Sequence, residues 1–207
     1  MKKNILVLAT YNLDKKKEIE KLLSDLPIKI LSLSDFPQLP KVEEKGKSFE
    51  ENAVRKAIFY AKKTGFLCLS DDSGLIVEYL NGKPGVYSAR FAGKNATYRK
   101  NNEKLLSLLK GVPYKKRKAK FVCCIALADK KGLIKIVKGT CSGRIAYEIR
   151  GKYGFGYDPV FIPLGYNKTF AELGEKIKNE ISHRSRALRK IKRFMARYFE
   201  RYSLPKG

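Results

Sequence analysis

The sequence predicts a mixed α/β fold in which helices flank a central sheet. Three observations support this prediction: a buried strand followed by a helix at the start, strand-like segments in the middle, and an amphipathic helix near the end. Because the helices are clustered early and late, a purely doubly wound parallel sheet is disfavoured. The 207 residues are enough for one large domain or for two lobes about a cleft.

The chain opens with a predicted strand, loop and helix. Residues 5–9 form a continuous apolar run, which is typical of a strand buried on both faces. Ile19, Leu22 and Leu26 follow at helical spacing. They predict a helix that begins near Asn12.

A second helix and a second strand lead to two consecutive aspartates. Ser48 as N-cap, with Glu51 three residues later, predicts the start of this helix. Residues 66–69 are a short apolar run typical of a buried strand, and we expect the strand to end at Asp71 and Asp72. Carboxylates at a strand end would offer hard oxygen ligands or a general base. The alternative is a solvated Asp-Asp-Ser-Gly turn.

The middle of the chain predicts a third helix and then an antiparallel meander. The helix lies around residues 97–109. Residues 121–128, 133–138 and 143–149 are rich in β-branched and aromatic residues and are separated by glycine-containing turns. Further on, apolar residues between positions 187 and 199 recur at helical spacing, so one face of that helix packs and its basic face is solvated.

Composition limits the class of protein. Four cysteines without a paired C-x-x-C spacing and a single histidine disfavour a zinc centre, so we expect buried, reduced thiols. No apolar stretch is long enough for a signal peptide or a membrane span, which predicts a cytoplasmic protein without a membrane partner. The net charge of +25, densest over residues 176–206, indicates either a nucleic acid or a small phosphate-rich ligand as partner. A general enrichment in lysine without a specific partner is the alternative.

The loop between the first strand and the first helix is a candidate phosphate site. It consists of Thr10, Tyr11, Asn12, Leu13, Asp14 and Lys15. Free backbone N–H groups and the helix dipole favour an anion at a helix N-terminus, and Lys15 adds a positive charge. The loop lacks the glycines and the G-K-[ST] sequence of a P-loop, and Asn12 would serve equally well as a simple N-cap.

A second acidic pair, Glu43 and Glu44, precedes the second helix. Taken separately, these glutamates look like surface charges. Together with Asp71 and Asp72 they would supply the oxygen ligands that Mg²⁺ prefers, while substrate phosphates and water complete the shell.

A glycine-framed aromatic residue is a candidate for ligand recognition. Residues 151–158 do not match the dinucleotide-binding pattern G-x-G-x-x-G. Phe155 in a tight loop can stack on a nucleobase while Asp158 reads the base edge, although an aromatic ring packed under the loop is the alternative. Beyond it, Ser182 as N-cap would direct His183 and Arg184 outward. A lone histidine is, however, more often structural.

These segments resemble the motifs of the Ham1/RdgB family of inosine triphosphate pyrophosphatases, in order and over nearly the whole chain. The matching stretches are Ala9-Thr10-x-Asn12-x-x-Lys15, Ser48-Phe49-x-Glu51-Asn52-Ala53, Asp71-Asp72-Ser73-Gly74-Leu75, Pro84-Gly85-Val86-Tyr87-Ser88-Ala89-Arg90, Gly154-Phe155-Gly156-Tyr157-Asp158-Pro159 and Ile181-Ser182-His183-Arg184. Bacterial relatives usually have glycine where this chain has Tyr11 and Asp14.

The resemblance implies one ITPase-like domain over residues 1–207, with two lobes about a nucleotide-binding cleft. It also implies Mg²⁺-dependent hydrolysis of ITP, dITP and XTP to the monophosphate and pyrophosphate, and a homodimer. Asp72 would be the proton acceptor and would bind Mg²⁺ together with Glu43, while Glu44 is the alternative second carboxylate.

The resemblance also implies roles for the remaining candidates. The triphosphate would be held by Thr10, Tyr11, Asn12, Leu13, Asp14, Lys15, Ser73 and Lys178, and the base by Phe155, Gly156, Tyr157, Asp158, His183 and Arg184. Nucleic acid is not required for this activity. A nucleic-acid-binding module, favoured by the charge, and the Maf-like nucleotide pyrophosphatases are the rival interpretations, and the Gly-Phe-Gly-Tyr-Asp and Ile-Ser-His-Arg segments argue against the latter.

Overall fold

The computed structural model describes the backbone of residues 4–203 and the side chains of residues 4–200. The strands in this part of the chain are β1 (Asn4–Leu8), β2 (Ile28–Ser32), β3 (Leu67–Val77), β4 (Lys118–Asp129), β5 (Gly132–Ile145) and β6 (Phe161–Pro163). The α-helices are α1 (Leu13–Leu23), α2 (Phe49–Thr64), α3 (Tyr98–Leu108), α4 (Phe170–Ile181) and α5 (His183–Ser203). The last residues of the predicted basic block, 204–206, lie outside the described residues.

The strands form one mixed sheet in the order β2-β1-β3-β4-β5-β6. β1 is parallel to both of its neighbours, and Leu6 is in register with Ile30 of β2 and with Leu67 of β3. Parallel neighbours need crossover connections, which α1 and α2 provide. β4 and β5 are joined by only two residues and therefore form an antiparallel hairpin, and β5 pairs antiparallel with β6. The predicted mixed α/β class is confirmed.

The helices begin at local capping residues. Asn12, Ser48, Thr97 and Thr169 are the N-caps of α1 to α4, and each side chain accepts a hydrogen bond from the backbone N–H three residues later. α2 ends at Gly65, whose left-handed backbone (φ 74°) is common at helix C-termini. The predicted helix starts at Asn12, at Ser48 and near Thr97 are confirmed.

β3 does not end at the two aspartates, so the predicted strand end is wrong. Asp71 and Asp72 are followed by further strand residues because Leu75 and Val77 are fully buried in the core. The alternative of a solvated turn is wrong for the same reason. Both carboxylates therefore project from a fixed backbone in the middle of a strand.

The predicted break near residues 139–142 is also wrong, because β5 is one continuous strand. A Cβ atom at Gly143 would lie only 2.2 Å from the carbonyl oxygen of Ile162 in β6. Gly143 is therefore needed because β6 packs closely against β5 at this point, and not because the chain turns here. Neither β2 nor β6 is predicted from the sequence, because Lys29 interrupts the apolar run of β2 and the three residues of β6 are too few to show a clear pattern.

The chain divides into two compact units, and the division falls inside β3. The first unit comprises the residues up to Asp72, residues 124–138 and the residues from Arg186 onward, and the second comprises residues 73–123 and 139–185. The core of the second unit includes a cluster of buried aromatic rings, in which Phe161 lies 4.5 Å from Phe121 and 5.4 Å from Phe170 between ring centroids.

All four cysteines are buried with free thiols, as the composition predicts. Burial raises the pKa of Cys68 to about 12, so this thiol stays protonated and unreactive at neutral pH. No helix of the described chain is long and apolar enough to cross a membrane.

A buried arginine in the second unit connects the start of β4 to its surroundings. The guanidinium of Arg117 donates hydrogen bonds to the carbonyl oxygens of Leu109 (2.7 Å), Ile145 (2.9 Å) and Ala146 (2.6 Å). Only 2% of Arg117 is exposed. Because its planar group satisfies several buried acceptors at once, it stabilises the junction between these segments.

We expect Arg117→Leu to lower the free energy of unfolding by about 3 kcal/mol or more, because three buried carbonyl oxygens lose their donors. Urea denaturation measures this change. Arg99→Leu is the matched control: the Arg99 side chain is 84% exposed in an ion pair with Glu103, and its loss should cost about 0.5 kcal/mol or less. Equal stability of the two variants would contradict the role of Arg117.

Candidate active site

Acidic and basic side chains meet around Lys56 in the first unit. The Lys56 Nζ atom lies 2.5 Å from Glu44 Oε1 and 3.8 Å from Asp72 Oδ1, and it donates a hydrogen bond to the Asp71 carbonyl oxygen at 2.8 Å. α2 supplies the lysine, β3 supplies the aspartates, and the segment before α2 supplies the glutamate. Lys15 contacts Asp71 and Asn52 contacts Asp72. We call Lys15, Glu44, Asn52, Lys56, Asp71 and Asp72 the Asp72 cluster.

The first loop contributes Lys15 to this cluster. Lys15 Nζ lies 2.7 Å from Asp71 Oδ1, and the Asp71 side chain is fully buried. Asn12 Oδ1 accepts a hydrogen bond from the Lys15 N–H at 3.0 Å, and Thr10 Oγ1 accepts one from the Asn12 N–H at 3.1 Å. The N-cap role of Asn12 is therefore confirmed, and the loop geometry fixes where the Lys15 side chain begins.

The remaining loop residues differ in their surroundings. Tyr11 and Leu13 are exposed, and the Lys41 ammonium lies 5.9 Å from the Tyr11 ring centroid. Asp14 stands in the first turn of α1, where the helix dipole stabilises a carboxylate.

Asn52 orients the Asp72 carboxylate. Its Nδ2 atom donates to Asp72 Oδ2 at 3.0 Å, while its Oδ1 atom accepts from the Gly46 N–H at 2.8 Å. A Cβ atom at position 46 would lie 2.6 Å from Asn52 Oδ1, so glycine is needed for this close approach. Both polar atoms of the Asn52 amide are therefore held by hydrogen bonds, and the amide in turn fixes the position of Asp72 Oδ2.

Burial controls the protonation of this cluster. It raises the pKa of Asp72 from 3.8 to about 6, with the Glu44 carboxylate acting in the same direction and Lys56, Lys15 and Asn52 acting against it. Burial lowers the pKa of Lys56, but the surrounding carboxylates outweigh this effect and raise it, so the lysine stays charged. A carboxyl group with a pKa near 6 exchanges its proton close to neutral pH.

The two glutamates before α2 have different surroundings. Glu44 contacts Lys56, whereas the Glu43 side chain is 69% exposed and forms an ion pair with Lys45. The structure therefore brings Glu44 into the Asp72 cluster and leaves Glu43 outside it. No group of three His, Cys, Asp or Glu side chains in the described chain is arranged to hold a metal ion by itself.

The glycine-framed loop of the second unit is tied by hydrogen bonds at several points. Asp158 Oδ2 accepts from the Phe155 N–H at 2.8 Å and from Lys178 Nζ at 2.6 Å. A Cβ atom at Gly154 would lie 2.2 Å from Asp158 Oδ2, so this position must be glycine. Asn102 Nδ2 donates to the Gly156 carbonyl oxygen at 2.9 Å.

The Tyr157 hydroxyl donates to the Ser88 carbonyl oxygen at 2.9 Å, and burial raises the pKa of Tyr157. The loop is thus held from α3, from α4 and from the turn around Ser88.

Phe155 is surrounded by cations and by another ring. Lys178 Nζ lies 4.2 Å and Arg184 Cζ 5.5 Å from its ring centroid, and the Tyr98 ring centroid lies 5.9 Å away. Phe155 remains partly exposed. We call Tyr98, Phe155, Asp158, Lys178 and Arg184 the Phe155 group.

His183 and Arg184 do not point outward, so that prediction is wrong. Ser182 does cap α5, since its Oγ atom accepts from the Ser185 N–H at 3.2 Å. His183 is nevertheless 4% exposed and stacks on Phe121 with a centroid distance of 4.6 Å. Arg184 is 2% exposed and donates to Ser73 Oγ at 2.9 Å. Core packing and this hydrogen bond keep both side chains inside the second unit.

Several residues of these sites are missed by sequence reasoning. Lys56 stands on the same face of α2 as Asn52, but nothing in its neighbourhood distinguishes it from the other polar residues of an amphipathic helix. Asn52 lies in one of the stretches that carry the family resemblance, but the sequence predicts no role for it. Asn102 is 2% exposed, and a buried asparagine has no sequence signal of its own. The spacing of four residues between Asn52 and Lys56 is the only available indication that both face the same neighbour.

A buried carboxylate of raised pKa, with a paired lysine and an asparagine that orients it, is typical of the active site of an enzyme. The chain belongs to the Ham1 family, whose model matches residues 6–194.

Curated relatives cover nearly the whole chain. A dITP/XTP pyrophosphatase of Desulforamulus reducens is 49% identical over 194 residues, covering 94% of this chain and 96% of the relative. One of Geobacter sulfurreducens is 51% identical over 187 residues, covering 90% of this chain and 94% of the relative.

Solved structures agree with the fold. A HAM1 protein from Coxiella burnetii superposes with a TM-score of 0.86 at 43% identity, covering 94% of this chain and 99% of that one. The Ham1 protein of Staphylococcus aureus gives 0.83 at 39% identity, with 93% and 98% covered.

We expect Asp72→Asn to stabilise the fold at neutral and alkaline pH. The carboxyl group has a higher pKa folded (about 6) than unfolded (about 3.8), so its contribution to stability is lost as the pH rises through this interval. Two pKa units correspond to about 3 kcal/mol, and asparagine removes this cost while still accepting from Asn52. Urea denaturation at pH 4 and pH 8 measures the change.

The difference between variant and wild type should approach zero at pH 4 and reach about 1–3 kcal/mol at pH 8. Asp25→Asn is the control of opposite sign, because the exposed Asp25 has its pKa lowered by Lys192. An Asp72→Asn protein that is less stable than wild type at pH 8 would show that the carboxylate stabilises the fold.

Proposed function

We propose that this protein hydrolyses non-canonical purine nucleoside triphosphates, namely dITP, XTP and ITP, to the monophosphate and pyrophosphate. The observation that carries the proposal is the match to two curated dITP/XTP pyrophosphatases over at least 90% of this chain and of each relative. Such hydrolysis removes deaminated purines from the nucleotide pool. The reaction class is that of a hydrolase acting on acid anhydrides.

Asp72 is the proton acceptor in this proposal. At neutral pH a carboxyl group with a pKa of about 6 is mostly ionised and can take a proton from the water that attacks the α-phosphorus. Asn52 holds one of its oxygens in a fixed position. As the bond between the α-phosphorus and the bridging oxygen breaks, negative charge builds up on the leaving pyrophosphate, and Lys15 and Lys56 offset this charge.

The resemblance implies Mg²⁺, and the donor set of the Asp72 cluster fits this ion. Mg²⁺ is usually held by one or two carboxylates together with phosphate oxygens and water, which suits a cluster with two available carboxylates. Asp72 and Glu44 would hold the ion, and when bound it would neutralise charge on the triphosphate. We propose Glu44 in place of Glu43, because Glu43 faces Lys45 in the described structure.

The loop from Thr10 to Lys15 receives the triphosphate in this proposal. The backbone N–H groups at the start of α1 and the Lys15 ammonium favour phosphate oxygens. Ser73 follows Asp72 directly in β3, and it stays a proposed contact of the triphosphate. Lys178 contacts Phe155 and Asp158, which favours a role at the base rather than at the triphosphate.

The Phe155 group binds the base in this proposal. The partly exposed Phe155 ring offers a stacking surface, and Gly156, Tyr157 and Asp158 keep the loop in shape. A keto oxygen at purine position 6 accepts hydrogen bonds from donors such as Arg184, whereas an amino group leaves them unpaired. Each unpaired donor costs about 1–3 kcal/mol, or about tenfold to hundredfold discrimination. His183 supports this region through its stack on Phe121.

The homodimer and the single two-lobed domain over residues 1–207 rest on resemblance, the cytoplasmic location rests on the lack of a long apolar stretch in the sequence, and all three stay predictions.

We expect ITP, dITP and XTP to yield monophosphate and pyrophosphate with Mg²⁺, at least about tenfold faster than ATP, whose purine has an amino group at position 6, and no product in EDTA. Ion-exchange chromatography of the products measures both the rate and the cleaved bond. Asp72→Asn should lower kcat by about 10²-fold or more, whereas the control Asp25→Asn should not change it. Diphosphate plus orthophosphate as products would overturn the proposed reaction.

We expect Phe155→Ala to raise KM for dITP about 5-fold to 150-fold with kcat less affected, because base stacking is worth about 1–3 kcal/mol. Steady-state kinetics measures the two parameters. Phe36→Ala is the matched control, since Phe36 is also a partly exposed phenylalanine but belongs to the first unit. An unchanged KM in a stably folded Phe155→Ala protein would remove Phe155 from the base site.

A further inference from the structure

A short basic segment of the second unit lies outside both sites described above. Residues 113–120 have the sequence Pro-Tyr-Lys-Lys-Arg-Lys-Ala-Lys. Arg117 is buried, but the side chains of its four lysine neighbours are exposed, and none of them has an ion pair within the described chain. We define the lysine–tyrosine surface as Tyr114, Lys115, Lys116, Lys118, Lys120 and Tyr147.

Two lysines of this surface share one face of β4, and the other two precede that strand. Lys118 and Lys120 alternate in β4 with Ala119 and Phe121, which are buried. Because successive strand residues point to opposite faces, both lysines project from the exposed face. Lys115 and Lys116 belong to the exposed turn just before β4.

Two tyrosine rings near the start of β4 lie close to arginine side chains and to each other. The Tyr147 ring lies over the buried Arg117 guanidinium, 4.7 Å from its Cζ atom, and the Tyr114 ring lies 5.3 Å from Arg144 Cζ. The two ring centroids are 6.1 Å apart. Because Arg117 is fixed by backbone carbonyl oxygens, the Tyr147 ring rests on a rigid support although 64% of the residue is exposed.

The electrostatic balance at this surface is strongly positive. Arg144 and the buried Arg117 add to the four lysines, whereas residues 113–120 and 144–148 together contain one acidic residue, the exposed Glu148. Burial lowers the pKa of Arg117, but a guanidinium remains charged at neutral pH. A concentration of positive charge of this kind attracts polyanions.

We propose that the lysine–tyrosine surface binds single-stranded nucleic acid. Proteins that bind single strands combine lysines or arginines along the backbone with exposed aromatic rings on which bases stack, and this surface has both. Unpaired bases are needed for stacking, so a duplex does not fit. An anionic membrane fits less well, because the exposed side chains of residues 115–120 are all lysines, with no large apolar side chain that could enter a lipid layer.

The test is fluorescence anisotropy of a labelled 30-nucleotide oligo(dT) between 50 and 300 mM NaCl. The surface variant replaces Lys115, Lys116, Lys118 and Lys120 by glutamine. The control variant removes equal charge from other exposed lysines, namely Lys29, Lys62, Lys63 and Lys130. We expect the surface variant to bind at least tenfold more weakly, with a slope of log K against log salt shallower by up to about 3, since each phosphate contact contributes about 0.7.

Tyr147 is tested separately because its replacement leaves the charge unchanged. We expect Tyr147→Ala to weaken binding about fivefold or more without changing the salt slope, and Tyr147→Phe to bind like wild type because the ring is kept. All variants should hydrolyse dITP at the wild-type rate, which separates this proposal from the proposed hydrolytic function.

Three outcomes of the oligonucleotide experiment would overturn the proposal. These are no binding of oligo(dT) by the wild type at 50 mM NaCl, equal loss of affinity in the surface and control variants, and wild-type affinity of Tyr147→Ala. Co-sedimentation with phosphatidylserine vesicles in the absence of oligonucleotide binding would assign the surface to a membrane and would also overturn it.

Discussion

The chemistry of the first unit depends on one buried lysine. Lys56 contacts the Glu44 carboxylate and the Asp71 carbonyl oxygen and stands 3.8 Å from Asp72. Two carboxylates this close to each other in a buried site repel, and removing the cation between them would leave buried charge uncompensated, at a cost of several kcal/mol. Because Asn52 stands one helical turn before Lys56, one face of α2 supplies both the cation and the amide that fix the Asp72 carboxylate.

This balance also explains how a proton acceptor persists within a strand. Burial alone would keep Asp72 protonated to a higher pH, and the lysines alone would make it a weak base. The opposing effects leave the pKa near 6. The unbroken course of β3 then prevents the carboxylate from relaxing toward solvent, as it could in the turn that the Asp-Ser-Gly composition suggests.

The sequence predicts those parts of the structure that depend on local signals. Helix starts at Asn12 and Ser48 follow from capping residues, and the adjacent aspartates are visible as a pair. By contrast, Asn52 and Asp72 are 20 residues apart, and Asn102 and Gly156 are 54 apart, so no local pattern announces these contacts. The close approach of β6 to Gly143 is also not predicted, because a glycine in this segment indicates a turn when only the sequence is known.

Glu43 and Glu44 show most clearly what the sequence alone does not predict. They are identical in type and adjacent in an irregular segment, so no periodicity indicates which one turns toward Lys56. Only the folded path of the segment, held by hydrogen bonds of the Tyr60 hydroxyl with Pro40 and Val42, separates their environments.

The positive charge of the chain has a different origin from the charge of its proposed active site. Three lysines of the two described sites are opposed by carboxylates: Lys15 by Asp71, Lys56 by Glu44 and Lys178 by Asp158. These pairs are close to neutral and therefore account for little of the net charge of +25. Arg117 and Arg184 are buried as well, but most of the excess charge lies on exposed lysines and arginines. Exposed, unpaired lysines do not stabilise a fold, and at high density they destabilise it by mutual repulsion. A polyanionic partner would relieve this repulsion at a surface where the lysines lie beside rigidly held rings.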